Sequence, residues 1–207
     1  CTKFKDRSAE FQKGFTGTAP IPYTILAGTY LVDCEPKIFF EWKREDEKFI
    51  QLSTKKKANF PELKIKEMDN PNVNAESIIV AISTTRRIKK HQLKDFGEQD
   101  IIEIYLDDCK DNNITYIKQL QNYRKVILDE LEALGRKNYP HLNQINLVAS
   151  IPSCMSLEIG RMIAQNNNRV KKIVAYHFVN QGTKLYPFGI AVTESQGQYK
   201  KGELIQN

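Results

Sequence analysis

Ile145-Asn146-Leu147-Val148-Ala149-Ser150-Ile151-Pro152-Ser153-Cys154-Met155 is an apolar run that breaks at a small, hydroxyl-rich loop. Residues 145–149 predict a buried strand, and the stretch Ser153 to Gln165 carries helical spacing after Pro152. Val170 to Phe178 is apolar and β-branched again, bounded by Asn166-Asn167-Asn168 on one side and Asn180-Gln181-Gly182 on the other. Strand, helix and strand within about 35 residues are the signature of a βαβ unit in a parallel sheet. A second unit lies upstream. Ile78-Ile79-Val80-Ala81-Ile82 is a strand covered on both faces, and it ends in Ser83-Thr84-Thr85. A charged segment with Ile88, Gln92, Leu93 and Phe96 follows, closed by Gly97, and Ile101 to Leu106 supplies the next strand.

Between the units, Thr115 to Arg136 places Ile117, Leu120, Ile127, Leu128, Leu131 and Leu134 on one stripe, with Gly135 as the expected stop and Asn113 or Thr115 as the expected cap. Lys184 to Thr193 reads as a last edge strand interrupted at Pro187, followed by a frayed tail. Toward the start, Thr24 to Val32 and Lys37 to Lys43 read as strands, with Ile38, Phe40 and Trp42 on the core face, and Lys48 to Ser53 continues the sheet. The segment from Thr54 to Asn74 reads as a connection holding at most a short strand. The expected organisation is one domain over 1–207: strands and connection in 1–74, the first βαβ unit in 75–110, the long helix and second unit in 111–195, and a tail in 196–207.

The chain has 207 residues, is 41% hydrophobic and 27% charged, and carries a formal net charge of +6, which suits one sizeable core and eases the approach of an anion. No run of about eighteen apolar residues exists and the start has no signal-peptide pattern, so a cytoplasmic protein with no membrane span is expected. A start at Cys1 points to a domain cut from a larger protein. Cys1, Cys34, Cys109 and Cys154 lie far apart with no C-x-x-C pair, which argues against structural zinc and a disulfide scaffold. His91, His141 and His177 are equally scattered.

Two apolar strands whose carboxyl ends run into hydroxyl residues suggest one ligand crevice, because ligands of open α/β sheets bind beyond those ends. Ser150, Ser153 and Ser156 surround a helix start, where free N–H groups and the dipole favour anions, although capping explains serines there equally well. Arg86 at the matching loop suits bidentate phosphate recognition. Tyr176, Phe178 and Tyr186 offer rings for stacking on a base. Gly160 in mid-helix points to close packing. Asp33 with Glu41-Trp42-Lys43 has the spacing of a metal-dependent nuclease, against which stands a plain solvent-side Glu41/Lys43 pair.

Asn146 to Ser153, then Leu157-Glu158-Ile159-Gly160-Arg161, then Val174-Ala175-Tyr176-His177-Phe178 resemble the closing motif of SAVED domains, and Ile79 to Ile88 is similar to that family's earlier strand and loop. The resemblance implies an α/β sensor of two fused CARF-like, Rossmann-like βαβ units arranged pseudo-symmetrically. It implies a non-catalytic prokaryotic module without a cofactor or metal, which binds a cyclic oligonucleotide of the cyclic tri- or tetra-adenylate type in CBASS or type III CRISPR antiviral defence. It also implies a fused effector domain and ligand-induced homo-oligomerisation. Ser83, Thr84, Thr85, Arg86, Ser150, Pro152, Ser153, Met155 and Tyr176 are the expected ligand-binding residues. The rival readings are an enzyme, either one that cleaves its own cyclic ligand or a nuclease built on Glu41 and Lys43, and a general nucleic-acid-binding module.

Overall fold

The computed structural model describes residues 12–55, 59–166, 171–194 and 199–207. Expectations placed on Cys1, on Asn167 and Asn168, on Val170 and on residues 195–198 lie outside them. At the centre is β5 (Ser77–Ser83), in which Ile78, Ile79, Val80 and Ile82 are all buried, as a strand covered on both faces requires. It pairs in parallel with β6 (Ile101–Tyr105) on one side and β7 (Gln144–Ser150) on the other. β8 (Lys172–His177) continues the parallel sheet beyond β7. Antiparallel strands close both edges, β4 (Lys64–Lys66) beside β6 and then β9 (Phe188–Ala191) and β10 (Leu204–Gln206) beyond β8, giving the order β10-β9-β8-β7-β5-β6-β4.

The two βαβ units are therefore halves of one sheet, joined side by side through β5 and β7. Their connections differ. A seven-residue 3-10 helix, Lys90–Phe96, links β5 to β6, whereas the thirteen-residue helix α3 (Ser153–Gln165) links β7 to β8. Right-handed crossovers that step in opposite directions must lie on opposite faces. Leu93 and Phe96 accordingly pack on Ile79, Ala81 and Val174, while α2 (Ile117–Lys137) and α3 pack on Ile78, Val80 and Ile145.

Residues 24–32 depart from the expected strand, since Ile21–Tyr30 is a helix, α1. Pro20 caps it and Pro22 lies in its first turn, where fixed φ and a missing N–H cost nothing. Tertiary packing then outweighs the β-propensity of Thr24, Ile25 and Thr29. α1 crosses α3 at Gly28 and Gly160. A Cβ on Gly160 would collide with the Ile25 carbonyl, and one on Gly28 with that of Leu157, so both positions must lack a side chain. At the same junction Arg161, 3% exposed, donates to Leu31 O at the end of α1 (3.2 Å) and pairs with Glu158 at 2.5 Å. Arg124 from α2 holds the other oxygen of Glu158.

A small sheet is built from β1 (Gly14–Phe15), β2 (Ile38–Lys43) and β3 (Lys48–Gln51). Its core face is the reverse of the expected one. Phe39 is 3% exposed, whereas Trp42 is 36% exposed and meets Phe49 edge to face at 5.1 Å. The reason is that Phe39 joins the main core, so Glu41, two residues on, turns the same way. α2 continues past Gly135 to Lys137, and Gly135 instead makes room for the Lys171 side chain. The helix start uses neither expected cap. Tyr116 is the N-cap, and Gln119 Oε1 accepts from Thr115 N. β9 is not an edge strand, because the tail returns as β10 and Lys201 donates to Thr29 O at 3.2 Å.

Gly160→Ala is expected to destabilise the fold by about 1–3 kcal/mol or more, as overpacking against rigid backbone does. Urea denaturation measures this. An unchanged midpoint would mean the helices do not cross this closely.

Candidate ligand site

β5 leads to β6 on one side, and the chain then crosses back to β7 on the other, so the topological switch point lies between the carboxyl ends of β5 and β7. The two loops there are bonded to each other. Thr84 N and Thr85 N donate to Ser150 O at 3.0 and 2.9 Å, and Arg86 N donates to Ser150 Oγ at 3.1 Å. Ser83 Oγ accepts from Ile88 N at 3.0 Å, which closes the turn from below. Both hydroxyls thus shape the loop that presents Arg86.

Above this junction is a cavity of about 750 Å³, within the usual range of small-molecule sites. Of the expected residues, Thr85, Arg86, Ser150, Pro152, Ser153 and Tyr176 line it. Ser83, Thr84 and Met155, at most 2% exposed, stand behind the wall. Met155 is displaced because it lies on the core side of α3, and Thr84 because its backbone is tied to Ser150, to Lys110 N and to Asn113. Residues missing from the sequence reading complete the lining, notably Thr18 to Pro22, Arg44, Gln92 and Asp111, together with Glu41.

Glu41 alters the chemistry of the helix start. The N-cap of α3 is Pro152, which has no side-chain acceptor, and Ser156 Oγ turns back to Pro152 O at 3.1 Å. Glu41 Oε1, reaching over from β2, accepts from Cys154 N at 2.5 Å. The position where an anion would bind is filled by the protein's own carboxylate. Burial raises the Glu41 pKa, opposed by hydrogen bonds from Cys154 and the Ser153 backbone, and burial beside Glu41 pushes the Cys154 thiol well up.

The nuclease constellation does not assemble. Glu41 is committed to α3, while Lys43 is held by Asp46 at 3.1 Å in the hairpin turn. Among the described residues no group of three or more His, Cys, Asp or Glu could hold a metal ion. Of the cations on the wall, Arg87 is engaged, with Glu103 at 2.5 Å and the Tyr105 ring 3.2 Å below its guanidinium carbon. Arg44 and Arg86 are exposed and make no ion pair among the described residues.

The aromatic wall is rigid. Phe96 packs edge-on against Tyr176 at 4.8 Å and also touches Tyr186, and Asp95 Oδ2 accepts from Leu185 N and Tyr186 N at 2.5 and 2.9 Å. Burial pushes the Tyr176 phenol up to about 12, and Tyr186, also buried and beside Asp95, to about 12. Tyr176 is only 6% exposed and Tyr186 2%, so of the three expected rings Phe178, at 39%, has an open face.

Because the Glu41 pKa is raised on folding, the folded state binds the proton more tightly than the unfolded state, and stability falls as pH rises from the ordinary carboxylate range through the raised value. Glu41→Gln keeps an acceptor for Cys154 N and removes this loss. Its advantage over the wild type is expected to appear only as pH rises toward neutrality, read by thermal melts across pH. Glu41→Ala leaves the helix end uncapped at a cost of about 1 kcal/mol. Parallel wild-type and Glu41→Gln curves would contradict this assignment.

With this geometry established, comparison with known proteins identifies the fold. Three solved structures of an Acinetobacter baumannii Cap4 SAVED/CARF-domain containing receptor are similar. The form with 2′3′3′-cAAA has a TM-score of 0.58 at 15% identity, the form with 3′3′3′-cAAA 0.59 at 16%, and a third structure of the receptor 0.55 at 14%. The first two matches cover 86% of this chain and 39% of the receptor, and the third covers 87% and 36%. This chain thus spans well under half the length of the receptor. No curated protein matches. Among the described residues no helix is long and apolar enough to cross a membrane. The model of the SMODS-associated and fused to various effectors sensor domain, SAVED, matches residues 1–192, and the chain belongs to that family.

Proposed function

We propose that the cavity at the β5/β7 switch point binds a cyclic oligonucleotide, and that binding is the signal this domain passes to an effector in antiviral defence. The observation that carries the reading is the junction of the two strand-end loops. Ser150 holds the Thr84 to Arg86 backbone in place, so one ligand can touch both loops at once while an unpaired Arg86 meets its phosphate. Family membership supports it, as does the likeness to a receptor whose structures carry cyclic trinucleotides. Thr85, Arg86, Ser150, Pro152, Ser153 and Tyr176 form the proposed contact set. Ser83, Thr84 and Met155 would act from behind it. The effector is proposed to be fused to or associated with this domain and to be switched on by ligand-induced assembly in the cytoplasm. The domain itself performs no catalysis in this account.

Titration with cyclic di-, tri- and tetranucleotides, followed by thermal stability and recovery of the ligand, tests this. A ligand at about 100-fold its Kd stabilises by about 2.7 kcal/mol. A raised Tm with intact ligand is expected, and Arg86→Ala should weaken binding about tenfold without lowering the Tm of the free protein. No shift with any member would contradict the reading, and linear product would replace sensing by cleavage.

A further inference from the structure

The charged groups on the cavity wall do not act alike. Arg87 is paired with Glu103, which leaves two guanidiniums on the wall without an ion pair among the described residues, Arg44 from the β2–β3 hairpin and Arg86 from the loop after β5. They belong to different sheets and border one cavity. Glu41, three residues before Arg44, puts a carboxylate at the start of α3. A phosphate cannot settle there without displacing it or meeting a like charge at contact distance. The polyanionic part of a ligand is therefore directed away from the helix start and toward the two arginines.

Glu41 also has unused capacity. A carboxylate has about four lone-pair positions, and the groups that approach this one are Cys154 N, the Cys154 thiol and Ser153 N. Its remaining acceptor capacity lies on a residue that lines the cavity. As a carboxylate it accepts a hydrogen bond from an N–H or O–H donor of a ligand. A site built to bond a donor discriminates strongly against an analogue lacking it, because the acceptor is then left desolvated and unpaired.

We infer that the β2–β3 hairpin is the specificity element of the site: Arg44 joins Arg86 in holding the ligand's phosphates, and Glu41 accepts a hydrogen bond from the exocyclic amino group of a base. This rests on the proposed cyclic-oligonucleotide reading and deepens it. It assigns a direct role to residues outside both βαβ units. The sugar-phosphate ring bridges the small and large sheets, with one amino-bearing base pointing at the start of α3.

Calorimetric titration with 3′3′3′-cAAA and with its counterpart carrying unsubstituted purine in place of adenine tests the inference. The wild type is expected to prefer cAAA by about tenfold or more. Glu41→Gln, which keeps a neutral acceptor and the cap, should reduce that preference to about threefold or less, since a neutral hydrogen bond is the weaker. Arg44→Ala should weaken both ligands about tenfold with the preference unchanged, because a phosphate contact is indifferent to the base. Arg44→Lys should recover part of the loss. Equal wild-type affinity for the two ligands would overturn the role of Glu41, and unaltered affinity in Arg44→Ala would overturn that of Arg44. Either result leaves the proposed function standing, because the wild type has bound. Failure of the wild type to bind either ligand would overturn the inference, and only failure with every cyclic di-, tri- and tetranucleotide would overturn the proposed function with it.

Discussion

The contact between the Glu41 carboxylate and the first N–H groups of α3 ties the site together. A helix that opens at Pro152 has no side-chain cap of its own, and its free donors need an acceptor. Supplying that acceptor from β2 fixes the small sheet against the large one. It also closes the helix start to phosphate and puts a negative group on the cavity wall. The charge is costly to bury, and burial raises the Glu41 pKa; in the proposed function it orients what binds.

The helix behind the cavity is fixed with equal care. α3 meets α1 through two glycines, with backbone against backbone, and this leaves no slack for sliding. Glu158 and Arg161 are both almost fully buried, and they are satisfied by each other, by Arg124 and by the end of α1. A buried pair of this kind adds little net stability, but removing one partner leaves a stranded charge. The Gly-Arg step of the Leu157 to Arg161 stretch thus holds α3 in position behind the cavity. The cavity is preorganised on that side, which reduces the entropy lost on binding.

The parallel strands were legible because their sequences are continuous apolar runs, which only a sheet covered on both faces accommodates. The loops after β5 and β7 followed, since strand ends in such sheets converge on a crevice. That the two units adjoin through β5 and β7 was not legible, because pattern reports each strand's environment and not its neighbour. The register of Ser83 with Ser150 is a long-range fact. α1 was unreadable for a related reason. Its β-branched residues favour a strand, and the deciding contact at Gly28 is made by a helix more than a hundred residues away. Glu41 was noticed for its spacing with Lys43, while its contact with the start of α3 was not legible. Its alternation along β2 was visible, but which face met the core depended on where Phe39 packed.

Hydrogen–deuterium exchange with and without 3′3′3′-cAAA tests whether one ligand engages both strand-end loops and the hairpin that carries Glu41. Slowed exchange is expected together in residues 84–88, 150–156 and 41–44, with little change in β9 and β10. Protection of the two loops without the hairpin, or protection centred on residues 199–207, would contradict it.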